Sequence, residues 1–407
     1  IVELFDHASV QHPWFEASKD PESDKRDWYI WEDENPGFRG PWGQEVWHAT
    51  RGSHYYGVFW VGMPDLNYEN PEVTEAMYGI VDFWLTEMEA DGFRLDAIKH
   101  MVEDGNLQEN TFGTHDWLED FYAHYKSVEP DAFTVGEAWT STNQVVDYTG
   151  DEVDVAFQFD LAEDVLNSVD VGLPQLYDKS QQEVLAAFES NQYATFITNH
   201  DQNRVMSEFD GDFNKGRLAA SLLLTTPGIP FVYYGEEIGM TGVKPDEDIR
   251  LPMHWSSADS QVGFTTGTPW RPAAQDFNMT SVALQADDPN SLLSHYRNLI
   301  HLRNENAALR VGEMSVVESN SNRIYAFLRH LEDEVLLVVM NFDDEPVTAG
   351  DYALSLAEGP LTADMTPRQL FGNRPAADLP VSSAGGFEGY IPFEEIPSQS
   401  LHIISLQ

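Results

Sequence analysis

Between about residues 71 and 312 the sequence alternates short apolar runs with longer helix-forming stretches, and this alternation limits the possible folds more than any other feature. Strand candidates are Gly92 to Ala97, Phe133 to Ala138, Val155 to Leu161, Ala194 to Asn199 and Phe231 to Tyr234, each bounded by turn residues. Helical stretches lie between or after them, at Pro71 to Ala90, Asp116 to Val128, Gln182 to Ser190, Lys215 to Thr225 and Asn290 to Arg303. Repeated βα units imply a parallel sheet with helices outside it. Strand starts are 41, 22, 39 and 37 residues apart, which suits a (β/α)8 barrel at roughly 30 residues per unit without excluding an open sheet. No Gly-x-Gly-x-x-Gly or Walker pattern follows a strand, which lowers the doubly wound nucleotide-binding alternative.

The flanks read differently. Residues 10 to 60 are rich in Trp, Pro and Gly (Trp14, Trp28, Trp31, Trp42 and Trp47 among them) and keep no period, as expected of an irregular inserted lobe. After about residue 313 the runs Met314 to Glu318, Arg323 to Arg329, Glu334 to Asn341 and Leu401 to Leu406 alternate without long helices, which predicts an antiparallel β domain. With 42% hydrophobic residues the chain can bury a core, so its formal charge of −47, from 22 basic and 69 acidic residues, belongs on a surface. Such a surface repels phosphates and anionic lipid headgroups, making nucleic acid and membrane partners poor expectations. The acids are spread along the chain, for example Asp20, Glu22, Asp24, Asp151, Glu152, Asp154, Asp246, Glu247, Asp248, Glu332 and Asp333. Adaptation to high salt, which screens self-repulsion, is the simplest expectation. There is no cysteine, hence no disulfide or thiol chemistry. No apolar stretch reaches the length of a membrane span, and the opening Ile-Val-Glu-Leu-Phe-Asp-His shows no signal peptide.

Three strand ends carry the chemistry. On Gly92-Phe93-Arg94-Leu95-Asp96-Ala97, Arg94 and Asp96 point to one face while Phe93 and Leu95 point to the other. An arginine beside a carboxylate favours its ionised form, which suits a nucleophile; a structural ion pair reads equally well from this strand alone. Glu137 ends the apolar run Phe133 to Ala138, where desolvation would suit it to general acid catalysis; a capping carboxylate is the alternative. The third run ends in Asn199-His200-Asp201, polar groups that are costly at a strand end unless they act. Catalytic groups of parallel barrels gather at that end. Two carboxyl groups flanking a bond, one ionised and one protonated, are what retaining glycoside hydrolysis requires.

These segments resemble the sequence regions of the α-amylase family, glycoside hydrolase family 13. Residues 92–100 (Gly-Phe-Arg-Leu-Asp-Ala-Ile-Lys-His), 135–139 (Val-Gly-Glu-Ala-Trp) and 196–201 (Phe-Ile-Thr-Asn-His-Asp) look like its second, third and fourth regions. Met63-Pro64-Asp65-Leu66-Asn67 looks like the fifth, and Gly235-Glu236-Glu237 with Arg250-Leu251-Pro252-Met253-His254-Trp255 resembles the eighth-strand segment and the loop after it. The resemblance implies Asp96 as nucleophile, Glu137 as acid/base and Asp201 as transition-state stabiliser. It also implies that Arg94 orients Asp96 and that His7 and His200 bind sugar, with Lys99 and His100 on the leaving side as in α-amylases.

The departure is at the start. Asp6-His7 stands where the family has Asn-His, and Val2 where its first region has Asp. The expected architecture is therefore an α/β, (β/α)8 TIM-barrel type lacking its N-terminal units, with about six strands assignable. It divides into 1–9 as the third-strand region, 10–62 as the inserted lobe, 63–312 as the rest of the barrel and 313–407 as the C-terminal antiparallel β domain. By resemblance a structural calcium would be held by Asp6 and the carbonyl of His100, although Asp6 reads as well as a surface carboxylate. The expected activity is retaining endo-hydrolysis of α-1,4-glucans such as starch, outside the cell in a saline setting. An exo-acting α-glucosidase or maltogenic transglycosylase of the same family, an inactive glucan-binding fragment, and a homo-oligomer that completes the barrel are the alternatives to test.

Overall fold

The computed structural model describes residues 2–4, 6–189 and 191–407, in two compact units, Ile1–Phe157 and Gln158–Gln407. In the first unit four strands pair in parallel, in the order Val2–Leu4, Gly92–Leu95, Phe133–Gly136 and Val155–Phe157. Register sets Arg94 between Glu3 and Val135, and Leu95 beside Gly136. Gly92 is required where it stands: its φ is +155°, and a Cβ there would lie 1.8 Å from the Phe133 carbonyl oxygen.

Helix Pro71–Asp82 starts with Asn70 accepting the Glu72 N–H and proline in the first turn, and continues as a π-helical turn over Phe83–Glu87. Helix Phe112–Val128 starts one turn earlier than the sequence pattern suggests, because Thr111 caps it through the Thr114 N–H. The inserted lobe is more regular than its lack of period implies. It holds an antiparallel sheet in the order Trp31–Glu32, Ser53–Tyr56, Trp47–Thr50, and Phe15 stacks on Trp31 at 5.6 Å while meeting Tyr55 edge-on. Strands this short hide their alternation, and rings do the packing.

In the second unit Tyr193–Thr195 pairs in parallel with Ile229–Pro230. The strand expected at Phe231 to Tyr234 thus ends earlier, and those residues follow it. The run Val155 to Leu161 also divides: the strand stops at Phe157, and Phe159 begins helix Phe159–Val171, which the sequence pattern missed. The stretch expected to begin at Gln182 belongs to helix Gln175–Ala187, and its expected end at Ser190 lies outside the described residues, as do Ile1 and Phe5 of the first strand region. Helix Phe213–Thr225 is buried almost all round, as a helix apolar on every side must be. Its C-terminal carbonyls are bound by two buried arginines: Arg303 donates to Leu224 and Thr226, and Arg329 to Thr225 at 2.7 Å. Positive charge there complements the helix dipole.

The C-terminal sheet has seven strands, in the order Pro367–Phe371, Ser400–Leu406, Glu334–Asn341, Ile324–Leu331, Glu313–Ser319, Leu354–Leu356, Phe387–Tyr390. Its pairs are antiparallel, as expected. The central strands are buried on both faces. Tyr325, Phe327, Leu336 and Val338 join the core shared with the helices, and Ala326, Leu328, Leu337 and Val339 join a second core on the other side. Among the described residues no helix is long and apolar enough to cross a membrane.

Candidate active site

In the first unit a candidate site grows from the ends of two neighbouring strands. Pairing continues past them, Glu137 N–H donating to Leu95 O at 2.9 Å and Ile98 N–H to Glu137 O at 3.0 Å, so Asp96 and Glu137 leave the sheet at one level. Ala97, at φ +49°, turns the chain into the short helical turn Ile98–His100. Phe93 and Leu95 are buried on the opposite face, as the two-residue period requires.

Arg94 lies between the two acids. One guanidinium nitrogen, Nη1, binds Asp96 Oδ1, and Nη2 binds Glu137 Oε2 at 2.6 Å. The Ala97 N–H also points at Glu137 Oε2, at 3.4 Å. The apolar setting expected for Glu137 is therefore incomplete: it is buried at the end of an apolar strand, yet it is ion-paired. Both hydrogen bonds described for it end on Oε2.

His7 stands beside this pair. Its Nδ1 lies 2.5 Å from Asp6 Oδ1, and the ligand atoms of Asp6, His7 and Asp96 all fall within 4.8 Å of one another. Lys99 donates to the Trp139 carbonyl at 2.9 Å and pairs with Glu109 at 2.7 Å, holding the segment that presents the exposed Trp139 ring. His100 takes another place than a leaving-side ligand would. Its ring is buried, with Nδ1 2.7 Å from the Gln108 carbonyl and with Trp42 and Phe59 edge-on at 5.5 and 5.8 Å. Burial pushes its pKa down, so the ring is neutral. Phe59 also meets His7 edge-on. Neither Trp42 nor Phe59 carries a signal in the sequence beyond belonging to an aromatic-rich lobe.

In the second unit Asp201 follows the strand Tyr193–Thr195. Its N–H is bound by Asn199 Oδ1 at 2.9 Å, its Oδ2 lies 3.2 Å from His200 Nε2, and its Oδ1 accepts from Arg250 Nη2 at 2.6 Å. Arg250 belongs to the segment singled out by resemblance, but nothing in the sequence assigns it a role there.

A second set of acids in the first unit, Asp6, Asp65 and Glu103, holds carboxylate oxygens without partners. Leu66 N–H donates to Asp6 O, and Ala8 N–H to Pro64 O, both at 2.9 Å, which sets Asp6 beside Asp65. Asp6 Oδ2, Asp65 Oδ1 and Glu103 Oε1 are buried atoms without a hydrogen-bond partner. Burial first, then the Asp6 and Glu103 charges, pushes Asp65 well above the usual carboxylate range. Glu103 is pushed up to about 8, by burial and by Asp6. Three uncompensated oxygens of carboxylates suit a hard cation such as calcium. Asp6 is buried, which removes the alternative of a solvated surface carboxylate.

The model of the α-amylase catalytic domain matches residues 2–312. The chain belongs to the α-amylase family. It is a glycoside hydrolase domain of the TIM-barrel type followed by an antiparallel β domain, and the parallel strands of both units fall within the matched region. α-Amylase 3 of Dictyoglomus thermophilum is 37% identical over 84% of this chain and 66% of its own length. Trehalose-6-phosphate hydrolase of Bacillus subtilis is 31% identical over 83% of this chain and 72% of its own. The crystal structure of the α-amylase from H. orenii superposes with a TM-score of 0.81 at 34% identity, covering 99% of this chain and 79% of that one. This chain thus spans about two thirds to four fifths of these α-amylase-family relatives.

Proposed function

We propose that the protein hydrolyses internal α-1,4 bonds of glucans with retention of configuration. The observation that carries this reading is the Arg94 guanidinium shared by Asp96 and Glu137 at the ends of adjacent parallel strands. It keeps a nucleophile and an acid one guanidinium apart, suited to the close carboxyl pair of retaining glycosidases. Glu137 gives its proton to the glycosidic oxygen as Asp96 attacks the anomeric carbon, and the leaving chain departs. Glu137 then takes a proton from water, which displaces Asp96 and releases a product with the original anomeric configuration. Asp201, by resemblance, stabilises the oxocarbenium-like transition state. His7 and His200 bind the sugar ring, and Lys99 serves the leaving side by fixing Trp139.

The endo reading draws support from Lys99, which holds the segment carrying Trp139, and from the two relatives named α-amylase. Proton NMR of maltoheptaose digests tests it: α-anomeric products of several lengths are expected at early times. Glucose or maltose alone would instead identify an exo-acting enzyme, and β-anomers would end the retaining mechanism.

Calcium would be held by Asp6 and the His100 carbonyl, as the resemblance implies, with Asp65 and Glu103 as the neighbouring acids, and would join the first strand region to the chain that follows the lobe and to the turn after Asp96. The exposed acids, such as Asp20, Glu22, Asp24, Glu247, Asp248 and Asp333, suit work in brine on an uncharged polysaccharide outside the cell. Glu152 and Asp154 do not belong with them, since they pair with His115 and Lys126, each at 2.8 Å. Melting temperature and activity are expected to rise on adding molar NaCl, where the Debye length falls to about 3 Å. A steady decline from low salt upward would sink the halophilic reading.

A further inference from the structure

We propose that Arg250 is the positioning residue of Asp201, fixing the carboxylate in the orientation from which it acts on the transition state. The claim rests on the glycosidase reading above and gives a residue without an assigned role a specific task in it. Arg250 grips two consecutive residues. Its Nε donates to the His200 carbonyl at 2.8 Å, and its Nη2 donates to Asp201 Oδ1 at 2.6 Å. The backbone of residue 200 and the side chain of residue 201 are thereby held by one rigid plane. A lysine carries its three donors on one atom and lacks the two separated, coplanar nitrogens that this grip uses.

The grip has a fixed base. Ile249 and Leu251, on either side of Arg250, are buried, and two successive tyrosines bind their carbonyls: Tyr233 OH donates to Ile249 O at 3.2 Å and Tyr234 OH to Leu251 O at 2.6 Å. Asp246 Oδ2 accepts from the same Nη2 at 3.2 Å, a second anchor at that end of the guanidinium. Both Arg250 and Asp201 are partly open to solvent, at 38% and 29%, so the attraction is screened and the contribution of the pair is mainly geometric. Small errors of placement at a reacting centre are costly, about 100-fold in rate for 1 Å.

The test is a double-mutant cycle on maltoheptaose hydrolysis with Arg250→Ala, Asp201→Asn and both together, alongside Arg250→Lys. Arg250→Ala is expected to lower kcat about 10- to 100-fold with KM changed less than about threefold. In the Asp201→Asn background the same change should cost less than about threefold, because its target is gone. Arg250→Lys should fold with a melting temperature near the parent's and still show most of the kcat loss. Equal losses in both backgrounds, or full activity in the lysine variant, would overturn the proposal. A crystal structure of Arg250→Lys, or of Arg250→Ala if it folds, reads the claim without activity: the Asp201 carboxylate should leave its present position or split between rotamers, and an unmoved carboxylate overturns it. Parent-like hydrolysis by Asp201→Asn would instead defeat the catalytic reading, and the position of the carboxylate would still decide the role of Arg250.

Discussion

Two groups of acids in the first unit are built from the same residue types and balanced in opposite ways. Asp96 and Glu137 share a cation that the chain itself supplies, Arg94, two residues before one of them. Asp6, Asp65 and Glu103 keep buried oxygens without partners, and among the described residues no lysine or arginine pairs with them. A buried charge is tolerated only if it is paired, coordinated or neutralised by a proton. The first group is therefore charge-balanced in the bare chain, with one oxygen of each acid held by Arg94. The second is balanced only when a cation or protons arrive.

The largest effect should come from the first group. Asp96→Asn or Glu137→Gln is expected to lower hydrolysis of soluble starch by about a thousandfold or more at unchanged melting temperature. Rates within about tenfold of the parent would end the catalytic reading. Arg94→Leu makes the comparison sharper, because it removes the cation shared by Asp96, which is partly open to solvent, and the buried Glu137. It should lower kcat about 100-fold and, unlike the acid variants, also lower the melting temperature, since breaking a buried pair leaves charge uncompensated. The second group predicts a smaller, purely structural effect. Excess EGTA should lower the melting temperature by about 5 °C, and calcium should restore it, as expected for a ligand present at roughly 100 times its dissociation constant. Asp65→Asn should make melting insensitive to both additions. Melting unchanged by EGTA in the parent would break the contrast between the two groups.

What could be read from the sequence follows the same division. Gly92-Phe93-Arg94-Leu95-Asp96 shows its two faces because a strand has a strict two-residue period, so the placement of Arg94 beside Asp96 was legible. The link from Arg94 to Glu137 was not, because it spans neighbouring strands whose register is fixed only by pairing. Asp65 lies far from Asp6 in sequence and meets it through backbone bonds at Leu66 and Ala8 that no local pattern encodes. The fold was clearest where burial on both faces gives an unbroken apolar run, as in Glu334–Asn341, whose bounds that run marks. It was least clear at Val155 to Leu161, where one apolar run serves a strand and then the first turn of a helix. The lobe's sheet was hidden because its strands are two to four residues long.

Glu236 extends the comparison to the third way of burying an acid, with a proton, and gives the smallest of the expected effects. Its side chain is buried, Oε1 accepts from Tyr296 OH at 3.0 Å, and Oε2 has no partner. Burial, with Glu237 adding to it, pushes its pKa up to about 8. In the unfolded chain a glutamate titrates near about 4.3. Between those values the folded protein holds a proton that the unfolded chain has lost, so stability falls as pH rises through the window and levels off once the folded carboxyl also ionises. Glu236→Gln keeps an oxygen for Tyr296 and removes the ionisation. Calorimetry should therefore show parent and variant melting within about 1 °C of each other at pH 5, and the variant higher by a few degrees at pH 9, from a linkage term of order a few kcal/mol. Parallel melting curves across that range would mean that Glu236 finds a cation, and it would then belong with Asp96 and Glu137 rather than apart from them.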